Sequence, residues 1–152
     1  MKSILDSLRE KNPHLKLFSV LEAEFAPYGC VLKGYDCAAL AAALEATPIP
    51  EQGNSYLASC GDIEALPVVD NIAGLVFGAM PVQAGYCNGH GFTLNAEEYH
   101  KCSEVNFCTG DGAVLFLAKP EDVKERELDS ADVLAFYLPA GVLVEIYPRV
   151  LH

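Results

Sequence analysis

From residue 54 onward the chain breaks into short runs rich in Val, Leu, Phe and Tyr, divided by Gly, Asp and Pro roughly every eight to fifteen residues. The runs are NSYLASC, GLVFGAMPVQAGYCNG, TLNAEEYHKCSEVNFC, AVLFLAK, DVLAFYLPAG and VLVEIYP. Strands this short must pair with neighbours across tight reversals to bury a face. The rhythm predicts an antiparallel sandwich or barrel in place of alternating βαβ units. Glycines inside GLVFGAMPVQAGYCNG mark bends or close backbone approach within a strand or strand pair.

Upstream the signals are helical. SILDSLREK carries Ile4, Leu5 and Leu8 at helical spacing and Pro13 closes it. KLFSV is a short strand and FAPYG a turn. DCAALAAALEA, residues 36–46, is the clearest helix, with Asp36 as its N-cap and Pro48 as its stop. GDIEAL is a helical turn. The expected fold class is α+β: a helix-containing part, 1–50, packed on an antiparallel barrel, 54–152, within a single domain of 152 residues.

A hydrophobic fraction of 51% and a charged fraction of 20% fit a globular chain. No apolar run is long enough to span a bilayer, and MKSILDSLREKNP lacks a secretion signal's continuous apolar stretch. A cytoplasmic protein is expected. A net charge of −11 argues against nucleic acid or membrane as partner, since the ten basic residues form no stripe. The six cysteines contain no CxxC pair and are expected to be mostly small buried hydrophobes without disulfides.

Chemistry concentrates in EEYHKCSEVN, residues 97–106. On an extended backbone Glu98, His100, Cys102 and Glu104 all face one way, whereas on a helix only His100 and Glu104 share a face. The surrounding strand rhythm favours the extended form, so Glu98, His100 and Glu104 can converge. The same pattern would also suit solvated charges on an outer face. A Cys102–His100 nucleophile pair is disfavoured, because alternate strand residues lie about 7 Å apart. No GxSxG elbow or Walker loop occurs.

Glu98-x-His100-x3-Glu104 resembles the first motif of the cupin superfamily, with Glu98 where the first His usually stands and Gly110 and Gly112 bracketing the closing glycine. Gly141, Pro148 and His152 approximate the second motif. The resemblance implies a cupin-like double-stranded β-barrel with metal ligands Glu98, His100, Glu104 and His152. QAGYCNG, LNAEEYHKCSEVN, LPAG and VEIYPRVLH are also similar to an uncharacterised bacterial family known only as a domain of unknown function, related to ureidoglycolate lyase-like cupins. Barrels of this kind continue past the second-motif histidine. Missing last strands, or a homodimer that covers an open edge, are therefore expected.

Two imidazoles with two carboxylates suit a divalent Mn, Fe, Ni or Zn ion with positions left for water or substrate. Glu98 is then a fourth ligand or the base, and Glu97 or Glu145 is an outer carboxylate able to move a proton. The expected function is a metal-dependent lyase or isomerase acting on a small carbohydrate, hydroxy acid or ureido acid. The alternatives are a non-catalytic sugar- or metabolite-binding module and a dimerising protein without a site.

Overall fold

The computed structural model describes residues 2–91 and 93–152. In chain order the elements are α1 (Ile4–Lys11), β1 (Leu17–Ser19), β2 (Gly29–Leu32), α2 (Ala38–Glu45), β3 (Asn54–Leu57), α3 (Gly61–Glu64), α4 (Pro67–Val76), β4 (Tyr86–Gly89), β5 (Glu104–Phe107), β6 (Ala113–Leu117), β7 (Leu134–Leu138) and β8 (Leu143–Ile146). They form two compact units, one from residues up to 33 together with 94–152, the other from 34–93. This differs from the expected division into 1–50 and 54–152. The first helix and first two strands belong with the C-terminal strands, because β1 and β2 are hydrogen-bonded to β7 and β8.

In the first unit, β1-β7-β6 and β2-β8-β5 make two three-stranded sheets. The β7–β8 reversal through Pro139 and Gly141 passes the chain from one sheet to the other. Both sheets contribute to one core: Leu117, Phe136 and Leu138 from the first, Val144 and Ile146 from the second, with Phe25 from a 3-10 turn (Ala23–Phe25) and Val20, Tyr28 and Val150 from loops. The apolar runs AVLFLAK, DVLAFYLPAG and VLVEIYP supply β6, β7 and β8, each of which turns alternate residues to this core. Gly29 must lack a side chain, since a Cβ there would strike the Glu145 carbonyl oxygen and the Phe25 ring.

No closed barrel is present among the described residues. Two short sheets replace the expected continuous antiparallel wall, and β1 pairs with β7 in parallel. That pairing is open to β1 because more than a hundred residues of intervening chain leave no hairpin constraint on its direction.

The second unit holds α2, α3, α4 and the antiparallel pair β3–β4. The expected strand over 74–89 is found only at its end, as β4; its beginning is the last part of α4. Pro67 stands in that helix's first turn, where a missing N–H costs nothing, and Val68, Val69 and Ile72 share its buried face. α2 begins at Ala38, so Cys37 occupies the N-cap, while Asp36 still accepts a hydrogen bond from the Ala38 N–H at 3.1 Å. No helix among the described residues is long and apolar enough to cross a membrane. All six cysteines are free thiols, but none is fully buried; Cys87 and Cys102 are exposed.

Candidate metal centre

The EEYHKC stretch is not part of a strand; regular pairing begins only at Glu104. Its backbone is nonetheless fixed. Glu98 and His152 exchange both main-chain hydrogen bonds at 2.9 Å, and the Arg149 N–H donates to the His100 carbonyl at 2.8 Å. Residues 98–100 and 149–152 therefore lie side by side in opposite directions, and each carries one imidazole to the same place.

Residue 152 is held by what precedes it. Val150 is buried in the main core, whereas Leu151 belongs to a second cluster with Ala118 and Val133. Leu151 also exchanges both main-chain hydrogen bonds with Ala118, at 2.9 and 3.1 Å. Successive side chains of an extended segment point to opposite faces, so Val150 and Leu151 anchor the backbone on both sides just before His152. Its side chain is 14% exposed, against 44% for His100.

Ligand atoms of Glu98, His100 and His152 lie within 4.8 Å of one another. Glu104 falls outside that three-residue group but approaches both imidazoles, its Oε2 3.3 Å from His100 Nε2 and 3.2 Å from His152 Nε2. Asn106, two residues along β5 and so on the same face, donates to the other Glu104 oxygen at 2.9 Å. The imidazole rings of His100 and His152 are 5.1 Å apart and tilted.

Glu145 does not join them. It pairs with Val105 in register, which puts it on the opposite face of the sheet from Glu104. There its carboxylate accepts from the Ser103 hydroxyl at 2.6 Å and lies 3.7 Å from the Cys30 thiol. The base role expected of Glu145 fails on this geometry. Asn88, in the other unit, donates to the Thr47 hydroxyl and has a structural role.

The electrostatics follow from the contacts. His152's pKa is raised, chiefly by its approach to Glu104, against the opposing effect of burial. For Glu104, desolvation pushes the pKa up, but His152, Asn106 and the charge of His100 outweigh it and the net shift is downward. Glu97 has neither kind of relief. One of its oxygens is buried without a hydrogen-bond partner, and desolvation lifts its carboxyl to about 7, with His152 offsetting part of the effect. Sequence reading offered Glu97 only as one of two outer carboxylates; its burial is set by tertiary packing.

Glu97 gives a pH test. Its carboxyl is protonated in both states below the ordinary 4.5, so it costs nothing there. Between 4.5 and about 7 the unfolded chain ionises first, and the penalty on the folded state grows until it is complete above 7. Glu97→Gln is therefore expected to raise the melting temperature at pH 8 and to leave it nearly unchanged at pH 4. Equal effects at both pH values in calorimetry would contradict a buried titrating carboxyl.

The family described as a domain of unknown function (DUF4867) matches residues 17–152. The chain belongs to this family. The match spans β1 through His152 and so includes every residue of the cluster. No curated protein and no solved structure matches the chain.

Proposed function

We propose that Glu98, His100, Glu104 and His152 hold a divalent cation and that this DUF4867 chain is a cupin-type, metal-dependent lyase or isomerase of small hydroxylated metabolites. The observation that carries the reading is the state of His152. Its Nδ1 lies 3.0 Å from the Val150 carbonyl, which can only accept, so the proton sits on Nδ1. Nε2 is buried and faces the Glu104 carboxylate oxygen at 3.2 Å: as an imidazolium it donates there, the contact that raises its pKa, and as a neutral ring it offers a buried lone pair. Two electron-rich atoms at that distance repel unless a proton or a cation stands with them.

The spacing suits a cation. Donors each about 2.1 Å from an ion, at angles between octahedral and tetrahedral, stand about 3.0–3.4 Å from one another. Both Glu104–imidazole separations, 3.2 and 3.3 Å, fall in that interval. The carbonyl behind Nδ1 is the outer hydrogen bond that metal-binding histidines ordinarily make. Mixed imidazole and carboxylate donors favour Mn²⁺, Fe²⁺, Ni²⁺ or Zn²⁺, and exposure of Glu98 and His100 leaves one side open to substrate.

A cation bound there supplies Lewis acidity toward a carbonyl or hydroxyl oxygen. Glu97, whose carboxyl feels the charge of His152, would then be the group that takes a proton from the carbon or hydroxyl next to that oxygen and returns it, the requirement for isomerisation or elimination. The order of donors, acid, imidazole and acid on one segment with an imidazole on a later one, supports the cupin comparison.

The test is elemental analysis of protein purified without chelator, followed by turnover assays on hydroxy acids, ureido acids and sugars. About one equivalent of metal, with turnover lost in His100→Ala, is the expected result. Ligand binding that persists after chelation would favour a non-catalytic binding module instead.

A further inference from the structure

β5 carries Glu104 and Asn106 on one face and Val105 and Phe107 on the other. Glu104 pairs across to Ile146 and Asn106 to Val144, and both partners belong to the main core. Asn106 therefore stands in a row whose other members are apolar: Val144, with no exposed surface, and beyond it Val31. An amide half-buried in such a row costs free energy unless it is hydrogen-bonded. Its bond is made to the candidate centre. Nδ2 donates to Glu104 Oε1 at 2.9 Å, and since an ionised carboxylate can only accept, the amide nitrogen is the atom that must face it. A valine or leucine would suit the core better, so what the amide supplies is its hold on Glu104.

The two oxygens of Glu104 are thereby divided. Oε1 is held by Asn106, while Oε2 stands 3.3 Å from His100 Nε2 and 3.2 Å from His152 Nε2. A carboxylate free to turn can close on a cation with both oxygens and occupy two of its positions. With Oε1 engaged, Glu104 offers one oxygen and leaves the other position to substrate. An outer partner that orients a ligating carboxylate acts on metal affinity through that ligand, without touching the ion.

We propose that Asn106 is a positioning residue of the site: it holds Glu104 to one-oxygen donation and so keeps a position on the cation open for substrate. This rests on the metal reading above. The test uses the full chain at pH 8, titrated with Zn²⁺ in a calorimeter and with Co²⁺ followed by its visible absorption, which changes with the number of donors around the ion. Asn106→Leu, close in volume and apolar like its neighbours, is expected to weaken Zn²⁺ binding by about 10–100-fold. It should also change the Co²⁺ spectrum, because the released oxygen can close on the ion. Asn106→Val, a good strand former, should do the same and serves if leucine does not fold. In a Glu104→Ala chain, adding Asn106→Leu should alter Zn²⁺ affinity by no more than about twofold, since the amide then has no carboxylate to hold. A loss of affinity equal with and without Glu104 would overturn the assignment and leave the metal reading in place. So would Zn²⁺ affinity within about threefold of wild type together with an unchanged Co²⁺ spectrum in both apolar variants. No Zn²⁺ uptake by the wild type would remove the metal reading and this assignment together.

Discussion

Phe136→Ala is expected to destabilise the first unit by about 3–5 kcal/mol, a large part of the roughly 5–15 kcal/mol that holds a typical domain folded. Phe136 lies on the central strand of its sheet and has no exposed surface. Its ring centre is 5.9 Å from that of Phe18, 5.4 Å from Phe25 and 5.2 Å from Tyr28. Truncation removes all three aromatic contacts at once and leaves a void that rigid strands on either side cannot close. Urea denaturation followed by circular dichroism would measure the loss. Phe136→Leu should show a smaller one, because most of the volume is kept. A loss below about 1 kcal/mol for the alanine variant would mean that the two sheets do not share this core.

That core also explains what could be read from sequence. The β-runs AVLFLAK, DVLAFYLPAG and VLVEIYP each present alternate residues to Phe136 and its neighbours, so a local pattern carried the information and β6, β7 and β8 lie where it placed them. The helices at Ile4–Lys11 and Ala38–Glu45 were equally local, the first with Ser3 accepting from the Asp6 N–H. α4 was illegible for the opposite reason. Its valines and glycine are poor helix formers, and only burial of Val68, Val69 and Ile72 on one face overrides that preference. Barrel closure could not be read at all. It depends on which edges meet, and β1 meets β7 in parallel across a separation that leaves no mark in any short window.

The candidate centre was half legible. Glu98, His100 and Glu104 were found by assuming a strand, yet only Glu104 belongs to one. The first two reach the cluster because 98–100 are paired with 149–152, a non-local contact. Glu145, expected only as an outer carboxylate, pairs with Val105 in register and so lies on the other face of the sheet from Glu104. The Val150 carbonyl that sets the tautomer of His152 is a main-chain group, which composition and spacing cannot reveal.

His152→Ala is expected to weaken binding of Mn²⁺ or Zn²⁺ by at least about 100-fold, above the 10–100-fold typical for loss of an outer hydrogen bond, because a donor itself is removed. Proton and cation compete for the same Nε2. Since contact with Glu104 raises the pKa of His152, wild-type affinity should climb as pH passes 6.5 and continue climbing beyond it. The His152→Ala variant should lose much of that slope. Without metal the ion pair acts with the reverse sign. The stability owed to Glu104 is present above its ordinary 4.5 and lost as pH falls, whereas that owed to His152 is present below 6.5 and lost as pH rises through its elevated folded value. The metal-free protein should therefore be helped most by this pair between about pH 4.5 and 6.5, and saturating metal should move that advantage to higher pH. Isothermal titration at pH 6, 7 and 8, with melting curves alongside, separates the two effects. A His152→Ala variant that binds metal within about threefold of wild type at pH 8 would show that the buried imidazole serves only its ion pair with Glu104.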